Sequence, residues 1–128
     1  MNEKGKEILK IENDCYLIDK GVRSCTYSVI VGIELLNELE TIAINHKLHI
    51  YFYQREVLNK NKYGSEVEHY DVWIYKFHHQ LAIIKYIESK QGLNDYLVEW
   101  IKGKLLGYSD KSIEDYLSML LIDEFVKH

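Results

Sequence analysis

Apolar residues recur every three to four positions over the last third of the chain and alternate with polar or aromatic ones in its middle, so strands come early and helices come late. Ile33, Leu36, Leu39 and Ala43 form a helical stripe that Leu35 and Ile42 widen, with Glu34, Glu38 and Glu40 on the remaining positions. Asn45-His46-Lys47 reads as the stop, because asparagine tolerates left-handed geometry and basic groups suit the C-terminal end of the helix dipole. Leu48 to Arg55 alternates and is rich in aromatics, as a strand requires, and Asp71 to Phe77 repeats the pattern. Between them Asn59 to Ser65 is polar with a glycine, which predicts a long hairpin loop. Helices follow over Gln80–Lys90, from an Asn94 cap to Leu106, and from Asp110 to about Val126. Residues 1–20 leave helix and strand open, and Thr26–Val31 reads either as a strand or as the start of the next helix. The order predicts one α+β domain over 1–128. A small antiparallel sheet, including a long-loop hairpin (about 48–55 and 71–77), packs on a helix from about residue 33 and three C-terminal helices.

The clearest boundary is Gly103 to Leu117. Gly107 supplies the positive φ of a helix C-cap, and Ser109 is the natural N-cap of the next helix. Tyr108 and Ile113 stand at hydrophobic-staple spacing, and Asp110 suits the positive end of the dipole. Helix-turn-helix DNA readers share this pattern. Here, however, the first residues of the second helix are Asp110, Lys111, Ser112, Glu114 and Asp115, and three of these five are carboxylates. Phosphate contacts need lysine or arginine, so nucleic acid is an unfavoured partner and a transcriptional regulator is the weakest of the alternatives.

Charge supports this. The 128 residues carry a net −4, and the stretches 1–23, 24–47, 48–77 and 78–128 sum to 0, −2, 0 and −2. No stretch is basic, so nothing draws the chain to nucleic acid or anionic lipid. No apolar run has the length of a membrane span, and the start, Met1-Asn2-Glu3-Lys4-Gly5-Lys6, lacks a signal core. The expected place is the cytoplasm of a bacterial cell, where Cys15 and Cys25 stay thiols and act as small buried hydrophobes. Fourteen lysines against two arginines, eleven tyrosines and no proline suggest an AT-rich coding origin.

Alternation puts His49, Tyr51, Tyr53 and Arg55 on one face of the first hairpin strand and Leu48, Ile50 and Phe52 on the other. On the second, Val72 and Ile74 oppose Asp71, Trp73, Tyr75 and Phe77. Leu, Ile, Phe and Val are expected against the helices. The reverse face, with Tyr51, Tyr53, Trp73 and Tyr75, is then either covered by a second layer such as the N-terminal segment or offered to a partner. The loop exit adds Tyr63, Glu66, His69 and Tyr70. The candidate binding set is therefore Tyr51, Tyr53, Arg55, Tyr63, Glu66, His69, Tyr70, Trp73 and Tyr75. Glu66 and His69 have the chemistry of an acid–base pair, which makes a small enzyme or ligand binder around Arg55, Glu66 and His69 the chief alternative. Neither their spacing nor His78-His79 matches a metal motif, and neither nucleophile motif nor phosphate loop is present. No metal, cofactor or catalytic residue is assigned.

The tail from Trp100 to Ser109 and from Ser112 to Leu117 resembles those of small uncharacterised accessory proteins from Firmicute phages and mobile elements. The resemblance implies a mobile-element context and no catalytic residue. With the acidic helices and aromatic hairpin, it leads to the expectation of a non-enzymatic protein-binding accessory factor, in its narrower form an inhibitor of a host defence protein, with a homodimer possible.

Overall fold

Asn2 starts the first helix by accepting the Gly5 N–H at 2.8 Å. In the computed structural model the described residues are 2–55, 68–90 and 95–127, with side chains described as far as Ile122. The polar loop 59–65 and the site candidates Tyr63 and Glu66 lie outside them. The chain divides into two units, residues 1–81 and 82–128. Its class is mixed α+β, with five helices and a three-stranded antiparallel sheet among the described residues.

The first unit begins with α1 (Glu3–Asp19), so the ambiguous N-terminus is a single helix. Its inward stripe is Ile11, Cys15 and Ile18, interrupted by a buried carboxylate, Asp14. Arg23 donates to Asp14 through Nη1 at 2.9 Å and Thr26 through Oγ1 at 2.8 Å. A charge on the core side blurs the apolar period, which is why the sequence pattern alone left this segment open. After it come β1 (Cys25–Val31), α2 (Ile33–Asn45), β2 (His49–Gln54) and β3 (His69–Tyr75). The sheet order is β1-β3-β2, with β3 central and antiparallel to both neighbours. Ile30, Tyr70, Val72 and Ile74 join the stripes of α1 and α2, chiefly Leu36, Leu39 and Ala43, in one core.

Helix α2 ends at Asn45, within the predicted Asn45-His46-Lys47 stop, but Lys47 rather than Asn45 takes the left-handed turn, at φ 58°. Burial of Leu48, whose N–H donates to Ala43 O at 2.9 Å, fixes where the chain must reverse. The central strand stops at Tyr75 rather than Phe77. There Gln80 Oε1 accepts the N–H groups of Lys76 (3.2 Å) and Phe77 (2.8 Å), while its Nε2 donates to Ser24 O (3.2 Å). A side-chain amide thus replaces the last rung of the ladder.

Helix α3 (Gln80–Ser89) crosses the division between the units, and α4 (Tyr96–Leu105) and α5 (Asp110–Lys127) belong to the second. Asp95 caps α4, accepting from Val98 N at 3.2 Å, in place of the expected Asn94. The turn between α4 and α5 follows the sequence reading. Gly107 has φ 85°, and Ser109 Oγ accepts the Ser112 N–H at 3.1 Å. Ile113 is buried while Tyr108 is mostly exposed. The close packing comes instead from Gly103, where a Cβ would stand 2.7 Å from Ile113 Cγ1 and 2.9 Å from its Cδ1. Gly103→Ala should therefore destabilise α4 and α5. Overpacking costs about 1–3 kcal/mol, against about 1 kcal/mol gained in helix propensity. Urea melts should show Ile113→Ala costing less in that background than in the wild type, because it removes the clashing atoms.

Candidate functional site

The pleat of the sheet decides which candidates share a surface. Register aligns His49 with Tyr75 and Cys25, Tyr51 with Trp73 and Tyr27, and Tyr53 with Asp71 and Val29. These side chains lie on the face opposite the α1/α2 core, as do His69 and Val31. Tyr27 and Trp73 pack with rings tilted by 39° and centroids 4.7 Å apart, and Tyr51 and Tyr53 approach to 6.2 Å. Trp73 and Tyr75 are buried, Tyr51, Tyr53 and His69 are half-buried, and Arg55 is exposed. Tyr70 lies on the opposite face, in the helix-covered core, where its hydroxyl donates to the Glu68 carboxylate. The structure therefore gathers Tyr51, Tyr53, Arg55, His69, Trp73 and Tyr75 on one face and does not bring Tyr70 to Arg55.

The polar centre of this face is Asp71, fully buried on the central strand. Arg55 Nε donates to both its oxygens, at 2.8 and 3.1 Å, and the Tyr27 hydroxyl donates to Oδ1 at 3.0 Å. Arg55 Nη2 closes the ring on the Tyr27 oxygen at 3.3 Å. A buried carboxylate is tolerable only when paired and hydrogen-bonded, and this network supplies both. Burial first, then the Asp71 charge, pushes the Tyr27 phenol up to about 12, and the hydrogen bond to Asp71 raises Arg55 above its ordinary value. Both oxygens of Asp71 are thus engaged by Arg55, and Oδ1 also by Tyr27. Tyr27 and Asp71 are the members that sequence reasoning passed over. The alternation Cys25, Tyr27, Val29, Val31 puts Tyr27 on one face of its strand, but its meeting with Asp71 follows only from the β1–β3 pairing, in which Asp71 stands opposite Val29.

The histidines take separate places. His49 stacks on Tyr75 at 5.3 Å and meets His78 edge-on at 5.8 Å, while His79 stacks on Phe77. No three metal-ligating groups converge among the described residues. Cys15 and Cys25 are buried thiols, and burial pushes each up to about 12 from an ordinary 9.0. The unfolded chain releases these protons near pH 9 and the folded chain only near 12. Stability is therefore full below about pH 9 and falls as pH rises through that window, with Tyr27 acting in the same direction above pH 10. Thermal melts from pH 8 to 11 should show this loss. Iodoacetamide at pH 8 should label neither cysteine until denaturant unfolds the chain.

Large apolar side chains are exposed on several elements, α5 among them. Tyr116, Met119, Leu121 and Ile122 are exposed, while Ile113 is buried. The exposed first turn holds Asp110, Lys111 and Ser112, with Asp110 drawn to Lys104 Nζ at 2.6 Å. No helix among the described residues is long and apolar enough to cross a membrane. Comparison of the chain with protein-family models, curated proteins and solved structures finds no match.

Proposed function

We propose that the chain is a non-enzymatic protein-binding accessory factor whose contact surface is the outer side of α5. The observation that carries this reading is the exposure of Met119 (64%), Ile122 (61%) and Tyr116 (49%) on a helix that already buries Ile113. At 100° per residue these positions follow Ile113 round about half of the helix, so its apolar surface extends well beyond the side that Ile113 buries. Tyrosine also ranks among the residues that dominate interface energies. The chemistry of the sheet face agrees, because Asp71 is held by Arg55 and Tyr27 and burial raises the Cys25 thiol above its ordinary value. The tail's resemblance to phage accessory proteins makes inhibition of a host protein the narrower form of the proposal.

The test is a Tyr116→Ser/Met119→Lys/Ile122→Lys variant beside the wild type. Both should fold with closely similar melting temperatures, since the three side chains are outside the core. A photo-cross-linker placed at Ser118 should give one partner adduct in extracts of the source cell with the wild type and none with the variant. Equal adducts from both would contradict the reading.

A further inference from the structure

A second surface, separate from α5, emerges from the hydrogen-bond parity of the sheet. The Gly32 N–H donates to Glu68 O at 2.9 Å, which makes Gly32 and Glu68 a hydrogen-bonded pair in the β1–β3 register. Counting back by twos, Ile30, Ser28 and Thr26 also direct their backbone groups at β3. Val31 and Val29 must then direct theirs away from the sheet, on the open side of an edge strand. Among the described residues neither has a hydrogen-bond partner on that side, and their side chains are 50% and 42% exposed. Beside them runs an open groove of about 700 Å³, walled by Val29–Leu35 and by Glu3, Lys4 and Glu7 of α1.

We infer that this edge of β1 accepts an extended, lysine- or arginine-bearing peptide segment from another protein, as an added strand. Backbone groups of Val29 and Val31 supply the hydrogen bonds, and alternate side chains of the guest fall on the two faces of the sheet. On one face they lie beside Val29 and Val31, which calls for apolar residues. On the other they meet the groove wall, where Glu3, Glu7 and Glu34 outnumber Lys4; Lys4 pairs with Glu38 at 3.2 Å and Glu3 with Lys6 at 3.8 Å, so these two outside charges cancel. The lining carries three carboxylates and one ammonium, a net −2. The positive ends of α1 and α2 add about half a charge each, which leaves it negative. A second copy of the chain would bring the same carboxylates against themselves, so charge favours a basic guest over self-pairing.

The experiment uses two fluorescein-labelled octapeptides, one alternating lysine with valine and one alternating glutamate with valine, with anisotropy and amide hydrogen exchange read on the full chain. The lysine peptide should bind about tenfold or more tighter than its glutamate counterpart, and the difference should shrink as salt is raised. It should slow exchange of the Val29 and Val31 amides and leave Ile30, already in the ladder, unchanged. Val29→Pro removes only an outward N–H, so it should weaken binding about tenfold while the fold persists. The exchange measurement needs no variant and decides the matter even if the proline strains the strand. Equal binding of both peptides, binding without protection at Val29 and Val31, no binding by either, or prior protection that rises with protein concentration would each overturn the proposal. None of these outcomes touches the α5 cross-link, so the two readings fail separately.

Discussion

Trp73→Ala should cost about 3–5 kcal/mol, the usual range for emptying a buried aromatic site. Trp73 is 0% exposed on the middle strand, with Tyr27 and Tyr51 opposite it on either side. That loss is a large share of the stability of a domain of this size. Chemical denaturation should show the midpoint collapsing or the transition disappearing. Tyr51→Ala, at a half-buried edge position on the same face, should cost clearly less. The ratio of the two separates a tryptophan that holds the sheet from one that meets a partner. If Trp73→Ala leaves the melt unchanged, the described burial is wrong.

The second large effect concerns the ion pair on that face. Among the described residues, Arg55→Ala leaves the fully buried Asp71 with the Tyr27 hydroxyl as its side-chain partner, whereas Asp71→Asn leaves an arginine that can turn to water. Breaking a buried pair from the charge-stranding side costs about 3–5 kcal/mol. Because the Arg55 side chain is 42% exposed and partly screened, about 3 kcal/mol is the appropriate figure. Asp71→Asn should cost less, and the double variant less than the sum of the single ones, since neither charge then remains buried. Urea titrations of the four proteins complete the cycle. Equal costs for the two single changes would mean that Asp71 is solvated in solution.

The elements legible from the sequence were those whose local chemistry agreed with their packing. Gly107 and Ser109 marked the α4–α5 turn because capping is local, and the alternation around Tyr51 and Trp73 marked β2 and β3 because one face of each is apolar. What was not legible depended on distant partners. Asp14 hid α1, because its place in the core is made possible by Arg23 and Thr26 on a later segment. Strand order was also hidden, since nothing near Cys25–Val31 announces that it pairs with residues 69–75 rather than with β2. The aromatic face was drawn correctly from periodicity, yet the depth at which Trp73 and Tyr75 lie was not. Their burial depends on the strand order that makes β3 central, and so the exposed apolar surface was sought on the hairpin rather than on α5. Gly103 gave no signal at all, because a helical glycine declares a close neighbour only once that neighbour, Ile113, is in place.

The chain has two methionines, Met1 and Met119, and the second stands on the side of α5 assigned to the partner. Its oxidation by dilute hydrogen peroxide, followed by mass spectrometry, therefore reports directly on whether that side is covered. The purified protein should oxidise at Met119 as fast as an exposed methionine in a peptide. In source-cell extract, corrected by the same peptide added as an internal standard, Met119 should be protected several-fold, and the Tyr116→Ser/Ile122→Lys variant should lose that protection. Oxidation at the same corrected rate in buffer and in extract would contradict a partner on α5.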